Sequence, residues 1–493
     1  MKLTYRLTLL LGLLLMLGAS ACEQYVEFNQ NPNEPTEVSS DVLFAASQRD
    51  ALNTTALESF LLANNVAQLT TKTLRTEVDV YNWNAFPTVW EGLYEALTDA
   101  QAVIEAAEVN GNEQQQGAAM VWRAWLFANL TNCYGDIPYF DAITGDEGGF
   151  TPAYDEQEAI YADLLNELEA AATLLGGSGS VAGDIVLGND ASKWQKLANS
   201  LRLRLLMTAN AKIADAGTQF AAIVEEGNIM ESNEDNATLS FLGGFPNEYP
   251  VVPLKTGDFE AVAFSESALD VMSAYNDPRL SRYARPDNMD FENPEFTGAV
   301  NGANSSNCSK AGSSLGLQYW NNPNTLQASD LGLPMAEGIV MTYAEVEFLL
   351  AEAAAMGWIA DDVEEHYRAG ILASMEYHQV NLDPFGWADF ADFYDNSGVA
   401  YAEVTDIWEQ KWIALFFHGM EPMFEVRRWY VQSGMSWEGI PFLDPPCENV
   451  NSDELPMRFL YPGEEQSLNA ANYQAAVDAL GGNTQDARMW LVE

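Results

Sequence analysis

The stretch that decides the fold runs from Ile407 to Tyr430 and reads IWEQKWIALFFHGMEPMFEVRRWY. Its apolar residues recur every three or four positions, which predicts helix, and they cover a face too wide for a helix lying on a protein surface. Gly419 and Pro422 interrupt the pattern, because proline lacks the amide hydrogen that a helix interior needs. The stretch therefore predicts a pair of core helices that build the protein, rather than a ligand site.

Charged residues lie inside this apolar stretch. Glu425, Arg427 and Arg428 follow the interruption, and Glu409 and Lys411 precede it. Charged side chains are rarely buried in proteins unless they are paired, because removing an ion from water costs several kcal/mol. We therefore expect these side chains to pair with one another or with neighbouring acids.

Helical periodicity recurs on both sides of this stretch and predicts a mostly α protein. The apolar spacing predicts helices over 41–70, 86–109, 118–133, 155–175, 192–215, 343–357 and 363–378. Because short turns join several of these helices and Trp, Ala, Gly and Tyr recur in them, tetratricopeptide-like helix pairs are expected. Long irregular loops and little β structure should complete a single domain over residues 41–493.

Two segments break the helical pattern. From about residue 227 to 337 the chain is rich in Asn, Gly, Pro and Ser, and we call this segment the insert. Residues 381–401 form a second aromatic and acidic segment, which is predicted to be a loop. A long stretch without periodicity inside a compact protein is commonly functional or disordered. The insert is therefore the first place to look for a ligand site.

The N-terminus has the features of an export signal. Residues 1–21 combine Lys2 and Arg6 with an apolar run too short to span a bilayer, followed by small residues. Cys22 comes next, an arrangement similar to a bacterial lipobox, although Ala19 stands where the best examples have leucine. Residues 22–40 then read as a lipidated tether, so we expect Cys22 to anchor the domain to a membrane.

The charge composition excludes one class of partner. The chain has 72 acidic and 22 basic residues, a formal net charge of −50, and removing the signal with Lys2 and Arg6 makes this 20 − 72 = −52. Nucleic-acid binding needs a cationic face, so nucleic acid is not an expected partner. The same acidity should disfavour anionic polysaccharides, unless a cation bridges them or local Arg or Lys side chains compensate.

Cysteine and acidic motifs give no cofactor site. Cys133, Cys308 and Cys447 are far apart, so one disulfide can form but its pairing cannot be read from the sequence. No zinc motif is present. Residues 389–395 are rich in Asp, which leaves structural calcium as an open alternative, although they lack the spacing of an EF-hand. No other cofactor is expected.

Several stretches together resemble the SusD/RagB family of nutrient-binding outer-membrane lipoproteins, specifically its SusD-like branch from Bacteroidetes. The resemblance keeps its order along nearly the whole mature chain, although the final Trp-Trp of the family is only Met489-Trp490 here. The stretches that carry it are Asn31–Asn33, Tyr134–Tyr139, Tyr343–Trp358, Tyr367–Tyr377, Gln410–Trp412, Gly419, Glu421, Arg427, Arg428 and Leu455–Asn469.

This resemblance implies a function. Members of the family capture oligosaccharides, and in some cases peptides, at the cell surface without catalysing a reaction. They pass the nutrient to a SusC-like TonB-dependent transporter on which they sit as a lid. The expected ligand is therefore an oligosaccharide, the expected partner is such a transporter, and the expected location is the outer surface of the outer membrane.

Sugar recognition needs flat apolar rings beside amide and carboxylate groups. Two loop segments offer that combination, and positions similar to the first contribute to binding in the family. We therefore predict a shallow groove lined by Trp83 and Trp320, with Trp387 and Tyr394 as weaker candidates. The other predicted ligand residues are Arg75, Asp79, Tyr81 and Asn84 in the first segment, and Gln318, Tyr319 and Asn321 in the second.

Three alternatives stay open beside the glycan-binding interpretation. An exported glycoside hydrolase needs two carboxylates at a defined separation, and with 72 acids in the chain the sequence cannot exclude such a pair. A peptide-binding member of the same family is the second alternative. A structural adaptor that binds a partner protein but no nutrient is the third.

Overall fold

The computed structural model describes residues 38–145, 148–177, 179–242, 244, 247–320 and 325–493. The predicted signal at residues 1–21, the lipidation site Cys22, most of the predicted tether and the ligand candidate Asn321 lie outside the described residues. Within the described part of the chain, every helix is either too short or too polar to cross a membrane.

The described chain is mostly helical, which confirms the predicted fold class. Shorter helical turns supplement thirteen principal helices within these residues. The principal helices are α1 (Ser40–Glu58), α2 (Pro87–Asn110), α3 (Glu113–Tyr134), α4 (Gln157–Leu174), α5 (Ala191–Thr208), α6 (Ala216–Glu226), α7 (Glu266–Ala274), α8 (Tyr343–Ala355), α9 (Val363–Tyr377), α10 (Phe390–Asn396), α11 (Val404–Ala414), α12 (Glu421–Gln432) and α13 (Ala470–Ala479).

The β structure consists of two small antiparallel sheets in the described residues. Strand β1 (Thr70–Lys72) pairs with β3 (Val262–Phe264), with Thr71 opposite Ala263. Strand β2 (Ala237–Ser240) pairs with β4 (Glu337–Met341), with an irregularity after Ala237. Both sheets join the insert to the helical scaffold.

The first five helices pack in sequence, each against the next along the chain. Gly111 ends α2 in the left-handed conformation at φ +66°, which glycine adopts without steric cost. Asn112 then caps α3, because its side-chain oxygen accepts a hydrogen bond from the Gln115 amide at 3.2 Å. This two-residue connection makes α2 and α3 a hairpin, as the tetratricopeptide-like interpretation predicts.

The fold-deciding stretch forms α11 and α12 with a break at residues 415–420, which confirms the predicted interruption. Phe417 and Gly419 have positive φ angles of 62° and 56° at the break. Pro422 lies in the first turn of α12, where its missing amide hydrogen removes no helical hydrogen bond. Trp412 and Trp429 are fully buried, so the stretch forms core as predicted.

A buried ion network crosses this core and confirms the predicted pairing for Glu425, Arg428 and Lys411, whereas Arg427 donates to backbone carbonyls instead. Arg428 donates from both Nη atoms to the two carboxylate oxygens of Glu352, each at 2.7 Å. Glu425 accepts from Arg428 Nη2 at 2.7 Å and from Lys411 Nζ at 2.9 Å. Burial opposes ionisation of Glu425, but these two cations outweigh it and lower the pKa of Glu425 to about 2.

Three segments differ from the helices that the sequence predicts. The first helix continues beyond Glu58 as a π-helical turn, Ser59–Ala63, and then as Asn64–Val66. The helix predicted over 192–215 ends at Thr208, and α6 follows it after a turn. The loop predicted over 381–401 contains α10, because Asp389 caps a helix by accepting from the Asp392 amide at 2.9 Å.

A disulfide resolves the cysteine pairing that the sequence leaves open. Cys308 in the insert is bonded to Cys447, across a sequence separation of 139, and Cys133 is free and buried. The same connection carries backbone hydrogen bonds, since the Cys447 amide donates to Asn301 O at 2.9 Å. Asn301 in turn donates from its side chain to Thr70 O at 2.8 Å, so the insert is fastened to β1.

We predict that Glu58 makes stability depend on pH. Burial raises the pKa of Glu58 from its ordinary 4.5 to about 7, against the opposing charge of Lys72. Between these values the folded state holds a proton that the unfolded state releases, so this contribution is complete below pH 4.5 and lost as pH rises through 7. Glu58→Gln removes the titration and should stabilise the protein at pH 8 by about 3 kcal/mol.

Urea unfolding of the variant and the wild type at pH 5, 6, 7 and 8 measures this effect. The difference between the two curves isolates Glu58, because burial also raises the pKa of Asp79 to about 7 in both proteins. A difference that stays constant across the four pH values contradicts the prediction.

Candidate functional site

A cavity of about 320 Å³ lies between the insert and the ends of α9 and α11. We call it the insert cavity. Its volume is at the lower end of the roughly 300–1,000 Å³ typical of small-molecule sites. Pro334 and Gln379 are exposed at its mouth, whereas Arg282, Gln318 and His378 are buried inside. The residues that line it and are discussed below are Asn236, Arg282, Gln318, Tyr319, Pro334, Glu337, Tyr377, His378, Gln379, Phe416 and Phe417.

One wall of the insert cavity is aromatic. Tyr319 stacks on Phe417 with ring centroids 4.3 Å apart, and Phe416 stacks on Tyr283 at 4.2 Å. Both phenylalanines come from the break between α11 and α12, so the fold-deciding stretch supplies this wall as well as the core. Such stacked pairs are rigid, and because the three rings from Tyr319, Phe416 and Phe417 are at most 3% exposed, they form a closed apolar wall.

Arg282 lies on the polar side of the insert cavity and is only 4% exposed. Its Nε donates to His378 O at 2.7 Å and its Nη2 to Pro334 O at 3.4 Å. Burial lowers the pKa of the guanidinium, although an arginine stays charged at any physiological pH. Among the described residues, no carboxylate lies within ion-pair distance of Arg282.

Two other buried side chains at the insert cavity have polar atoms without partners in the described structure. Gln318 donates from Nε2 to Arg282 O, but its Oε1 accepts nothing. His378 Nε2 is likewise unpartnered, and burial lowers the pKa of His378 well below its usual value, so the imidazole is neutral. Buried polar atoms are nearly always hydrogen-bonded, so these two atoms are exceptions, and both belong to side chains that line the cavity.

Gly316 positions the short helical turn Leu317–Tyr319 that carries two of these residues. A Cβ at Gly316 would lie 1.9 Å from Arg282 O, far inside van der Waals contact. The close approach places Gln318 beside the Arg282 backbone, where the Gln318 amide donates to the Arg282 carbonyl. Only glycine permits this approach, so the sequence GLQY specifies the geometry of the cavity wall.

An acidic residue lies at the outer part of the insert cavity. Glu337 accepts a hydrogen bond from the Tyr377 hydroxyl at 3.0 Å and another from the Ser240 hydroxyl. Burial and the Glu337 charge raise the pKa of Tyr377 well above its ordinary value, so Tyr377 stays a neutral donor. The insert cavity therefore combines a buried cation, a partly exposed anion and uncharged hydrogen-bonding groups.

The first predicted ligand segment is largely buried. Asp79 is 1% exposed, and its Oδ2 accepts from the Thr71 hydroxyl at 2.7 Å and the Lys72 amide at 2.6 Å. Tyr81 is also 1% exposed. Trp83 packs edge-on against Phe459 at 5.4 Å and donates to Val78 O at 3.0 Å. These side chains fasten the segment to the helices beneath it and offer no open aromatic face.

The remaining predicted ligand residues lie in different places. Arg75 and Asn84 are exposed. Trp320 is buried against Phe259, with ring centroids 4.5 Å apart. Trp387 is half-buried and donates to Asn276 O at 2.9 Å, and Tyr394 is buried.

The prediction that Trp83 and Trp320 line a shallow groove needs correction, because both indoles are buried. Each indole packs on its own neighbours, because an aromatic residue in a polar loop can still turn inward to bury its ring. Of the predicted residues, the structure brings Gln318 and Tyr319 together at a cavity.

Sequence reasoning did not select Arg282, Glu337, Tyr377 or His378 as ligand residues. One signal was present for Arg282. Arg279, Arg282 and Arg285 fall within seven positions of a chain that has only 22 basic residues. Of these, Arg279 pairs with Asp277 at 2.5 Å, whereas Arg282 has no acidic partner in the described chain. The pairing depends on tertiary packing, so the sequence alone could not separate the two.

The residues described by the structure contain no group of three or more acidic, histidine or cysteine side chains placed to hold a metal ion. The acid-rich residues 389–395 instead belong to the start of α10, where Asp389 serves as the helix cap.

Comparisons with known proteins agree with this architecture. Residues 32–462 match the profile of a SusD-like family described as starch-binding and associating with the outer membrane. No curated protein matches the chain significantly. A SusD homologue from Bacteroides fragilis superposes with a TM-score of 0.76 at 24% sequence identity, covering 92% of this chain and 100% of that one.

Two further solved structures carry a ligand in their descriptions. A chitin-binding protein is 25% identical, with a TM-score of 0.76, and covers 92% of this chain and 99% of its own. A chitin-binding SusD homologue from Flavobacterium johnsoniae is 20% identical, with a TM-score of 0.71, over 91% of this chain and 98% of that one. At such identities, these superpositions establish a shared fold over nearly the full length.

Proposed function

Since the chain belongs to the SusD-like family of outer-membrane-associated proteins, we propose that it binds an oligosaccharide nutrient at the cell surface without cleaving it. The match of the family profile over residues 32–462 carries this proposal. Two finer parts rest on it. Acylated Cys22 anchors the protein to the outer membrane, and a SusC-like TonB-dependent transporter receives the ligand.

We also propose that the insert cavity holds part of the ligand. It combines the aromatic wall of Tyr319, Phe416 and Phe417 with unpartnered polar atoms on Gln318 and His378. A sugar presents the complementary surfaces, because its ring has an apolar face and its hydroxyl groups both donate and accept hydrogen bonds. The small volume limits the cavity to one or two sugar residues, so the rest of an oligosaccharide lies outside the mouth at Pro334 and Gln379.

Replacing Gln318 by alanine is expected to weaken glycan binding about 3- to 10-fold. The change removes the amide of a side chain that lines the cavity, and one hydrogen bond is worth about 0.5–1.5 kcal/mol. Isothermal titration calorimetry with the tightest-binding member of a glycan panel measures the change in Kd.

Gln474→Ala is the matched control for this variant. Gln474 is exposed on α13, where it bonds only to Asp478 on the same helix. It should bind as the wild type does. Equal Kd values for Gln318→Ala and the wild type, with both folded, would remove the insert cavity from the proposal while leaving glycan binding itself untouched.

One experiment separates the binding protein from a glycoside hydrolase and from a structural adaptor. The purified protein is incubated with algal, plant and host polysaccharides, followed by affinity electrophoresis and product analysis. A binding protein is retarded in at least one gel and releases no product. Released oligosaccharides would identify a hydrolase. A protein that co-purifies with a transporter yet is retarded in no gel would be an adaptor, and the proposed function would then be wrong.

A further inference from the structure

Arg282 is a buried cation without an acidic partner among the described residues. The formal net charge is −50, so acidic partners outnumber basic residues more than threefold, at 72 to 22. Another buried arginine has an acidic partner, since Arg204 pairs with Glu345 through two hydrogen bonds of 2.6 Å. Arg282 is equally buried, yet only backbone carbonyls accept from it within the described residues. Burying a charge without an ionic partner costs several kcal/mol, so its retention here requires a reason.

Arg427 provides an internal comparison, because it too is buried and donates to backbone carbonyls. Its Nη1 bonds Asn132 O at 2.7 Å and Met457 O at 3.1 Å. The space beside Arg427 is about 20 Å³, which holds one water molecule at most. Arg427 therefore contributes to the packing of the core and has no room beside it for a ligand. Arg282 differs because a cavity of about 320 Å³ adjoins it, which leaves room for an anionic group of a ligand.

The guanidinium of Arg282 has donors left for such a group. An arginine carries five N–H donors, and the Nε–H and one Nη2–H bond to His378 O and Pro334 O. Nη1 has no hydrogen-bond partner in the described part of the chain, so three N–H groups remain. The Nη1 and Nη2 groups lie on one edge of the guanidinium, where two parallel hydrogen bonds to a carboxylate can form.

The other titratable groups around the cavity permit an anion at Arg282. His378 is neutral, and both Tyr319 and Tyr377 have pKa values raised by burial, so none of them adds negative charge. Arg279 is already paired with Asp277. Glu337 is the one acid that lines the cavity among the described residues, and it is held by Tyr377 and Ser240.

We propose that the insert cavity binds a uronic acid residue of an oligosaccharide, with its carboxylate on the free edge of Arg282. This inference rests on the proposed glycan-binding function and specifies the class of glycan. Gln318, His378 and Tyr319 line the same cavity as Arg282, beside the space that the sugar ring takes. Arg282 is then the local compensation that an acidic glycan needs in so acidic a protein, and burial protects the contact from screening by salt.

The test uses the wild-type protein and matched pairs of ligands. Calorimetry compares trisaccharides of galacturonate, glucuronate, mannuronate and guluronate with their carboxyl-reduced, neutral forms. At least one acidic trisaccharide should bind about 10- to 100-fold more tightly than its reduced form, as expected for a charge-assisted hydrogen-bonded pair.

Variants locate the effect at the insert cavity. Arg282→Gln should abolish the preference for the acidic form while keeping residual affinity for the reduced form. Glu337→Gln should strengthen acidic binding by removing a like charge. If Arg282→Gln does not fold, the wild-type ligand pairs still decide the question.

Two outcomes overturn the inference, and they differ from a failure of the proposed function. Binding of neutral glycans with no preference for any acidic form refutes the uronic acid but leaves the protein a glycan binder. An acidic preference that survives in folded Arg282→Gln places the anion site elsewhere. If no glycan of either kind binds, the proposed function itself fails.

Discussion

Replacing Arg428 by alanine is expected to lower the free energy of unfolding by about 3–5 kcal/mol. The guanidinium is 5% exposed and bridges two buried carboxylates, Glu352 and Glu425. Without it, Glu425 retains Lys411, but Glu352 keeps only the Trp408 indole at 3.0 Å. The variant therefore leaves a buried, uncompensated carboxylate, which costs more than the pair contributed. Urea unfolding followed by circular dichroism at pH 7 measures the change.

Arg49→Ala is the control for this prediction. Arg49 pairs with Asp50 on the surface, where both side chains are about half exposed, and such a pair contributes about 0–1 kcal/mol. The double variant Arg428→Met/Glu352→Leu should recover part of the lost stability, because it removes both charges and fills their volume with apolar atoms. A loss below 1 kcal/mol for Arg428→Ala would mean that the network does not stabilise the core as the geometry implies.

Removing the disulfide with Cys308→Ser/Cys447→Ser is expected to destabilise the protein by about 4 kcal/mol. The bond closes a loop of 139 positions. A cross-link stabilises a protein mainly by lowering the conformational entropy of the unfolded chain, which contributes about 4.7 kcal/mol for a loop of 100 residues. The disulfide also joins the part of the insert around Cys308 to residues 447–450. In that range, the Val450 amide donates a hydrogen bond to Val80 O. The loss should therefore appear in global unfolding and in faster hydrogen exchange near β1.

Reductant provides the internal control for the disulfide. Wild-type protein unfolded with dithiothreitol should match the double variant, whereas the double variant should not respond to dithiothreitol. Cys133 is buried and free, so it does not offer an alternative partner in the folded state. A wild type that is equally stable with and without reductant would contradict the predicted contribution.

Much of the architecture follows from the sequence, because helices depend on local spacing. The apolar periodicity over 86–109 and 118–133 predicts two helices joined by a short turn, and the structure has this hairpin, although α3 begins earlier, at Glu113. The interruption of the apolar pattern at Gly419 and Pro422 predicts the break between α11 and α12. By contrast, nothing local marks the π-helical turn after Glu58 or the early end of α5, since tertiary packing determines both.

The candidate site was predicted less well, for a physical reason. The sequence draws attention to tryptophans in polar loops. In the structure, Trp83 and Trp320 are only 8% and 7% exposed, because removing a large apolar ring from water is favourable. The sequence groups Arg282 with Arg279 and Arg285, but which of these arginines lacks an acidic partner depends on the surrounding chain. Gln318 and Tyr319 were predicted as ligand residues and do line a cavity, although the groove expected beside them does not form.

By itself, the sequence determined the helical class, the excess of negative charge, the core role of residues 407–430 and the resemblance to a family that the profile match then confirmed. These depend on composition, on periodicity and on order along the chain. Tertiary structure alone decided which cysteines pair, which aromatic rings are buried, and that a buried arginine faces an empty space between the insert and α9. Burial and pairing depend on residues hundreds of positions apart, and no local pattern records which of them meet.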